Sequence, residues 1–164
     1  MSLRNHRIAA VSIVAAEIVV LLAWGRSMGN DSADVRATRD KLQGAWVAEL
    51  VQVGDHRKAE GDAAARCRVE FDGKSVAFRG LIDDIDARGT YYIEPSSHPD
   101  WVDFKLDAGW IVGIYAVEGD TLRVSMNAFA MPERLGVPTQ YRPRKLKPNE
   151  GHHYYVFRRA RTGA

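Results

Sequence analysis

Five histidines, one cysteine and a scatter of carboxylates are the groups in this chain that could bind a metal or move protons. His152 and His153 adjoin, and His56 and His98 lie upstream. One of the pair could join His56 or His98 on a metal. Neighbouring strand residues point to opposite faces, so the pair itself does not chelate. No carboxylate or thiol completes the set at a diagnostic spacing, and the expectation is loop histidines with no metal. Asp83, Asp84 and Asp86 offer oxygens to calcium. They lack the glycine and the distal glutamate of a calcium loop, and read as a solvated turn. Glu49, Glu70 and Glu94 fall on strand-like runs, and alternation turns Glu70 outward. Ser125 occupies no nucleophile elbow, and no glycine-rich phosphate cradle occurs. Cys67, the only cysteine, excludes an intrachain disulfide and reads as a buried structural thiol beside Arg66 and Arg68. No catalytic residue and no cofactor is assigned, and the reading leans away from an enzyme.

Two groups of residues could bind rather than react. Trp46, Phe71, Phe78, Tyr92, Phe104 and Phe157 are candidates to line a cavity for a hydrophobic ligand, or else to fill it. The run "YRPRKLKP", residues 141–148, is the one stretch with the basic and aromatic character that nucleic-acid binding needs. Its expected neighbours are lipid headgroups, wall polymer or solvent, not nucleic acid. Charge is divided along the chain. Residues 31–140 hold 13 Lys/Arg against 19 Asp/Glu, and residues 141–164 hold 7 against 1. A basic tail suits an acidic partner, and the two regions also neutralise each other.

Strands must position these groups. A charged helix is expected from Asp31 or Ser32 to about Lys41, capped at its start. After Gly44 the pattern switches to period two. Eight strands are expected, at residues 45–53, 67–71, 75–81, 90–94, 101–106, 110–117, 121–129 and 154–159. The link 54–66 and the run 82–89 read as loops, with one helical turn at "GDAAAR". "DGK" at 72–74 marks a hairpin, and a Pro-rich segment spans 131–150. Val102, Phe104 and Leu106 alternate with Trp101, Asp103 and Lys105. Leu122, Val124 and Met126 alternate with Arg123 and Ser125. The first and sixth strands are apolar on both faces, which predicts an outer cover from the lead-in helix or the Pro-rich segment. Short strands joined by tight turns predict an all-β fold, an antiparallel up-and-down meander closed as an eight-stranded barrel.

The N-terminus carries Arg4, His6 and Arg7 before an apolar run over residues 8–24. As a helix that run spans roughly 26 Å against a bilayer core of about 30 Å. It fits a signal peptide, with Ala23 and Gly25 as small cleavage-site residues, or a short signal-anchor with Trp24 at the interface. Glu17 costs such a segment on the order of 2.5–3.5 kcal/mol. Basic residues before it and Asp31 and Asp34 after it predict a body outside the cytoplasm, membrane-anchored or secreted.

Gly44 and Trp46 at the mouth of the first strand, with Arg159 closing the last and Arg158 beside it, resemble the lipocalin and wider calycin signature. In that signature the indole plugs the closed end and the arginine lies over it. "LQGAW", "GIYAVEGDTLRV", "VPTQY" and "YYVFRR" together resemble an uncharacterised lipocalin-like domain family of bacterial exported proteins, over residues 41–159. The chain departs from that pattern in having Val137 before the proline and Tyr141 as the following aromatic. The resemblance implies architecture: a signal segment and linker at 1–30, a lead-in helix at 31–42, a barrel at 43–160 and a tail at 161–164. The function expected is an extracytoplasmic module binding a small apolar or amphipathic molecule. The alternatives are a filled-barrel protein- or envelope-interaction domain on the membrane and, third, an enzyme.

Overall fold

The computed structural model describes residues 32–54, 57–81, 85–97, 99–127, 130–131, 141–149 and 151–161. The apolar run 8–24, His56, His98, Asp83, Asp84 and Val137 lie outside these residues. The chain divides into two compact units, Met1–Ala33 and Asp34–Ala164, and the strands all fall in the second. Helix α1 (Ala33–Leu42) leads into β1 (Gly44–Val53), β2 (Arg57–Glu60), a 3₁₀ helix (Gly61–Arg66) and β3 (Arg68–Asp72). Then follow β4 (Ser75–Leu81), β5 (Ile85–Glu94), β6 (Asp100–Leu106), β7 (Gly109–Glu118), β8 (Thr121–Asn127) and β9 (His152–Arg159). From β3 to β9 each strand pairs antiparallel with the next, and β9 pairs back onto β1. The result is the expected closed eight-stranded antiparallel barrel, with β2 added to it.

The extra strand was not expected. The sequence of the link after β1 predicts a loop, yet β2 doubles back on the far half of β1, Leu50 against Glu60 through Val53 against Arg57. The near half pairs with β3, Gly44 against Phe71 through Val47 against Arg68. Two short strands thus share one flank of β1, joined by the 3₁₀ turn foreseen at "GDAAAR", whose Ala64 is fully buried. The run 82–89 also differs from its reading as a loop, because β5 begins at Ile85. Gly89 shows why no side chain marks this stretch. A Cβ there would come within 1.9 Å of the Lys105 carbonyl oxygen, so the close approach of β5 and β6 requires glycine.

The two strands that looked apolar on both faces have two different causes. In β1 the register against β9 slips between Ala48 and Leu50. This bulge at Glu49 changes the phase of the strand. Trp46 and Ala48 face the core before it, and Val51, opposite Tyr155, packs on the core after it. In β7, Tyr115 joins the core cluster, while Val112 and Ile114 are buried on the outer face. Described residues from the segment before β9 lie on that outer face. Met131 bridges to Trp110 through a reciprocal backbone pair at 2.7 Å, and Arg142 and the buried Pro143 follow. Of the cover expected from the Pro-rich segment, Met131 and Arg142 are seen over β7.

Candidate functional site

The closed end is built by the last turn of α1. Gly44 takes φ +97°, a backbone state open to glycine at little cost. A Cβ there would meet only Arg159 Nη1, at 3.8 Å, so the turn rather than crowding selects it. That turn drops Trp46 into the barrel with no exposed surface, and its indole N–H donates to the Leu42 carbonyl at 2.8 Å. The Arg159 guanidinium lies 4.1 Å from the ring centroid and donates to the Lys41 and Gln43 carbonyls, each at 2.7 Å. Helix carbonyls that would otherwise lack partners are thereby satisfied. Gln43 fastens the next hairpin: its Oε1 accepts from Gly73 N at 2.7 Å and its Nε2 donates to the Tyr91 hydroxyl at 3.0 Å. Arg158, the neighbouring alternative, points outward to Glu49 at 3.1 Å.

Five of the six cavity candidates face the interior. Trp46, Phe71, Phe78, Phe104 and Phe157 are each at most 3% exposed. They pack as rings: Phe71 edge-on to Tyr91 at 4.9 Å, Phe78 edge-on to Phe104 at 5.1 Å, and Phe157 stacked on Tyr155 at 5.6 Å. Tyr92 is the correction. It is 43% exposed and sits outside, 5.4 Å from the Trp110 ring. Register decides this, since Tyr91 stands opposite Phe104, which stands opposite Ile111, all on the inner face.

Sequence reasoning missed two further interior tyrosines. Tyr115 and Tyr155 are in register with Val124 from either side, so they share the inner face two strands apart. Both hydroxyls are buried without a hydrogen-bond partner among the described residues. Burial, with Asp100, Tyr91 and Glu94 adding to it, raises the pKa of Tyr115; burial, then Cys67, raises that of Tyr155. Burial also pushes the Cys67 thiol from 9.0 up to about 12, consistent with the expected inert thiol. Its ionisation is linked to stability. From about pH 9 upward the unfolded chain releases a proton that the folded chain retains, so stability falls as pH rises towards about 12. The slope is at most about 1.4 kcal/mol per pH unit. Urea midpoints measured from about pH 8 to about pH 10 should decline in the native chain and be flatter in Cys67→Ala.

Outside the barrel, Asp103 of β6 is buried although alternation places it on the outer face. Arg142 explains it. Its Nη2 lies 2.6 Å from Asp103 Oδ1, its Nη1 donates to the Gly113 carbonyl at 2.6 Å, and its guanidinium sits 4.4 Å from the Trp101 ring centroid. The chain beyond this pin turns back to β9 around a cleft of about 430 Å³, lined by Arg142, Arg144, Lys145, Lys147, Asn149 and His152 among others. A second, more open groove of about 490 Å³ holds Arg66, Arg68 and Arg79 with Asp62, and Arg68 stands directly opposite Arg79 across β3 and β4.

The remaining candidates for chemistry stay apart. His153 is buried and His152 half-buried on the other face. Asp86 accepts from Gly80 N at 3.1 Å, and Ser125 is fully buried. Among the described residues no three His, Cys, Asp or Glu side chains gather as a metal site, and no helix is long and apolar enough to cross a membrane. Comparison of the chain with protein-family models, with curated proteins and with solved structures finds no match.

Proposed function

We propose that the chain is a lipocalin-like, extracytoplasmic interaction domain whose barrel is a packed scaffold and whose outer surface does the binding. The observation that carries this reading is the ring-on-ring packing inside. The contacts Phe71–Tyr91, Phe78–Phe104 and Tyr155–Phe157 occupy the space that an apolar guest would need. Clefts formed by described residues open on the outside instead, at the strap before β9 and across β3 and β4. The body's place outside the cytoplasm rests on the apolar run 8–24 and the basic residues before it.

A second reading has its own support. The unpartnered hydroxyls of Tyr115 and Tyr155 face inward, and a small amphipathic molecule bound in the barrel would satisfy them. One titration separates the two readings. The full chain in a non-ionic detergent is titrated with N-phenyl-1-naphthylamine, and the purified protein is extracted for mass spectrometry of small molecules. A packed scaffold gives no saturable probe fluorescence and no stoichiometric companion. Saturable one-to-one binding that is lost in Tyr155→Trp would overturn the scaffold reading in favour of the ligand binder.

A further inference from the structure

We infer that the cleft in the strap between β8 and β9 is a binding site for a phosphate group. The inference deepens the outer-surface reading proposed above and rests on it, by naming a site and a ligand chemistry. Residues 141–149 contain four Lys/Arg and no Asp/Glu. One of the four is already neutralised: Arg142 spends its charge on Asp103 and on the strand below. The other three, Arg144, Lys145 and Lys147, are exposed, and no described residue pairs with them. Three cations of one sign around a single concavity focus the field into it.

The lining has the donors that an oxyanion takes. Arg144 offers a planar fork, and Lys145 and Lys147 offer compact point charges. Asn149 brings a side-chain amide. His152 also lines the cleft, and its Nδ1 is shielded from solvent with no partner among the described residues. An orphaned ring nitrogen at the wall of a cationic cleft is a group awaiting a ligand. Among the described residues, the lining carries no carboxylate to repel an anion. A tetrahedral phosphate, singly charged as a diester and up to doubly charged as a monoester or free ion, turns more acceptor oxygens towards several cationic donors than a carboxylate does.

The site is also held in shape. Pro143 is buried, Pro148 restricts the backbone before Asn149, and the Arg142 pin fixes one side on β6 and β7. On the other side His152 N donates to the Asn149 carbonyl at 3.2 Å as β9 begins. Ordering a polybasic run in advance lowers the entropy lost on binding. A volume of about 430 Å³ accommodates a phosphate with its ester substituent. The same chemistry comes from a phospholipid headgroup or from a soluble phosphate, and the test distinguishes them.

The full chain in non-ionic detergent, in chloride buffer, is titrated calorimetrically with inorganic phosphate, and separately with mixed micelles doped with phosphatidylglycerol or with phosphatidylcholine. Binding of inorganic phosphate assigns the site to soluble phosphates; binding of phosphatidylglycerol micelles alone assigns it to headgroups. In either case the triple variant Arg144→Ala/Lys145→Ala/Lys147→Ala should bind at least about tenfold more weakly. The variant Arg66→Ala/Arg68→Ala/Arg79→Ala removes the same charge from the other groove and should stay within about twofold of the native chain. His152→Ala should weaken binding without altering the thermal midpoint by more than a few degrees. The inference is overturned if neither probe binds, or if the two triple variants weaken binding equally, which would mean net charge and not the cleft. The naphthylamine titration, read against protein-free detergent and against Tyr155→Trp, reports on the interior and not on the cleft, so loss of phosphate binding and failure of the packed-scaffold reading are separate results.

Discussion

Trp46→Ala is expected to lower the stability of the barrel by about 3–5 kcal/mol, the range for removing a fully buried large aromatic. Three losses coincide at this position. The ring is wholly buried, and deleting it leaves a void at the closed end. The indole N–H that satisfied the Leu42 carbonyl disappears. The Arg159 guanidinium loses the ring beneath it at 4.1 Å, a contact worth about 0.5–1 kcal/mol when exposed and about 2 when desolvated. Urea unfolding should show a lower midpoint with an unchanged slope. Trp46→Phe keeps much of the volume but loses the N–H donor, and should fall between the two. A midpoint equal to that of the native chain would mean that the indole does not plug the barrel. Arg159→Lys should also destabilise, because a single ammonium cannot reproduce the paired donation to Lys41 and Gln43 across the ring face.

The closed end was legible in the sequence because its parts are local and chemically distinctive. The switch from helix periodicity to alternation at Gly44 names the turn and the strand, and the resemblance to the calycin signature implies the plug at Trp46. The meander was legible for the same reason. Asp72–Gly73–Lys74 does mark the hairpin between β3 and β4, and Phe71 and Phe78, with Val69 and Val76 beside them, face the core. The losses occur where phase depends on a partner strand. Thr90, Tyr91, Tyr92, Ile93 and Glu94 contain two adjacent rings of one type, and only the opposition of Tyr91 to Phe104 decides which is inside. The bulge at Glu49 leaves no mark beyond a strand that looks apolar on both faces. The sequence β2 occupies, Arg57, Lys58, Ala59 and Glu60, reads as a solvated link, because an outer strand supported by its backbone pairing to β1 needs no apolar face.

The outer site was hidden more deeply. Asp103 alternates with Val102 and Phe104 as an outward residue should, and nothing in β6 announces that it is covered. The polybasic run was visible as a run, but its division into one structural arginine and three available cations appears only when Arg142 is seen seated on Asp103. Charge along a chain does not say which charges are already balanced.

Asp103→Ala leaves Arg142 with a side chain only 11% exposed and no counter-charge. Breaking one half of a buried ion pair costs about 3–5 kcal/mol, because the remaining charge keeps its desolvation penalty and loses its partner. Removing both halves is far milder. The double variant Asp103→Leu/Arg142→Met replaces the pair by apolar side chains over Trp101 and Gly113, and replacement of this kind is often neutral to within a few kcal/mol. The coupling energy from the cycle Asp103→Leu, Arg142→Met and the double variant should therefore be large compared with the ~0.3–0.5 kcal/mol by which independent sites depart from additivity. Urea midpoints of the four proteins provide it. Additive single variants would mean that the strap is held by Pro143 and its neighbours rather than by the pair. The same pin holds one wall of the cleft, so Asp103→Ala should also weaken phosphate binding while Arg144, Lys145 and Lys147 remain in place. A stable, phosphate-competent Asp103→Ala protein would show that the cleft keeps its shape without its anchor.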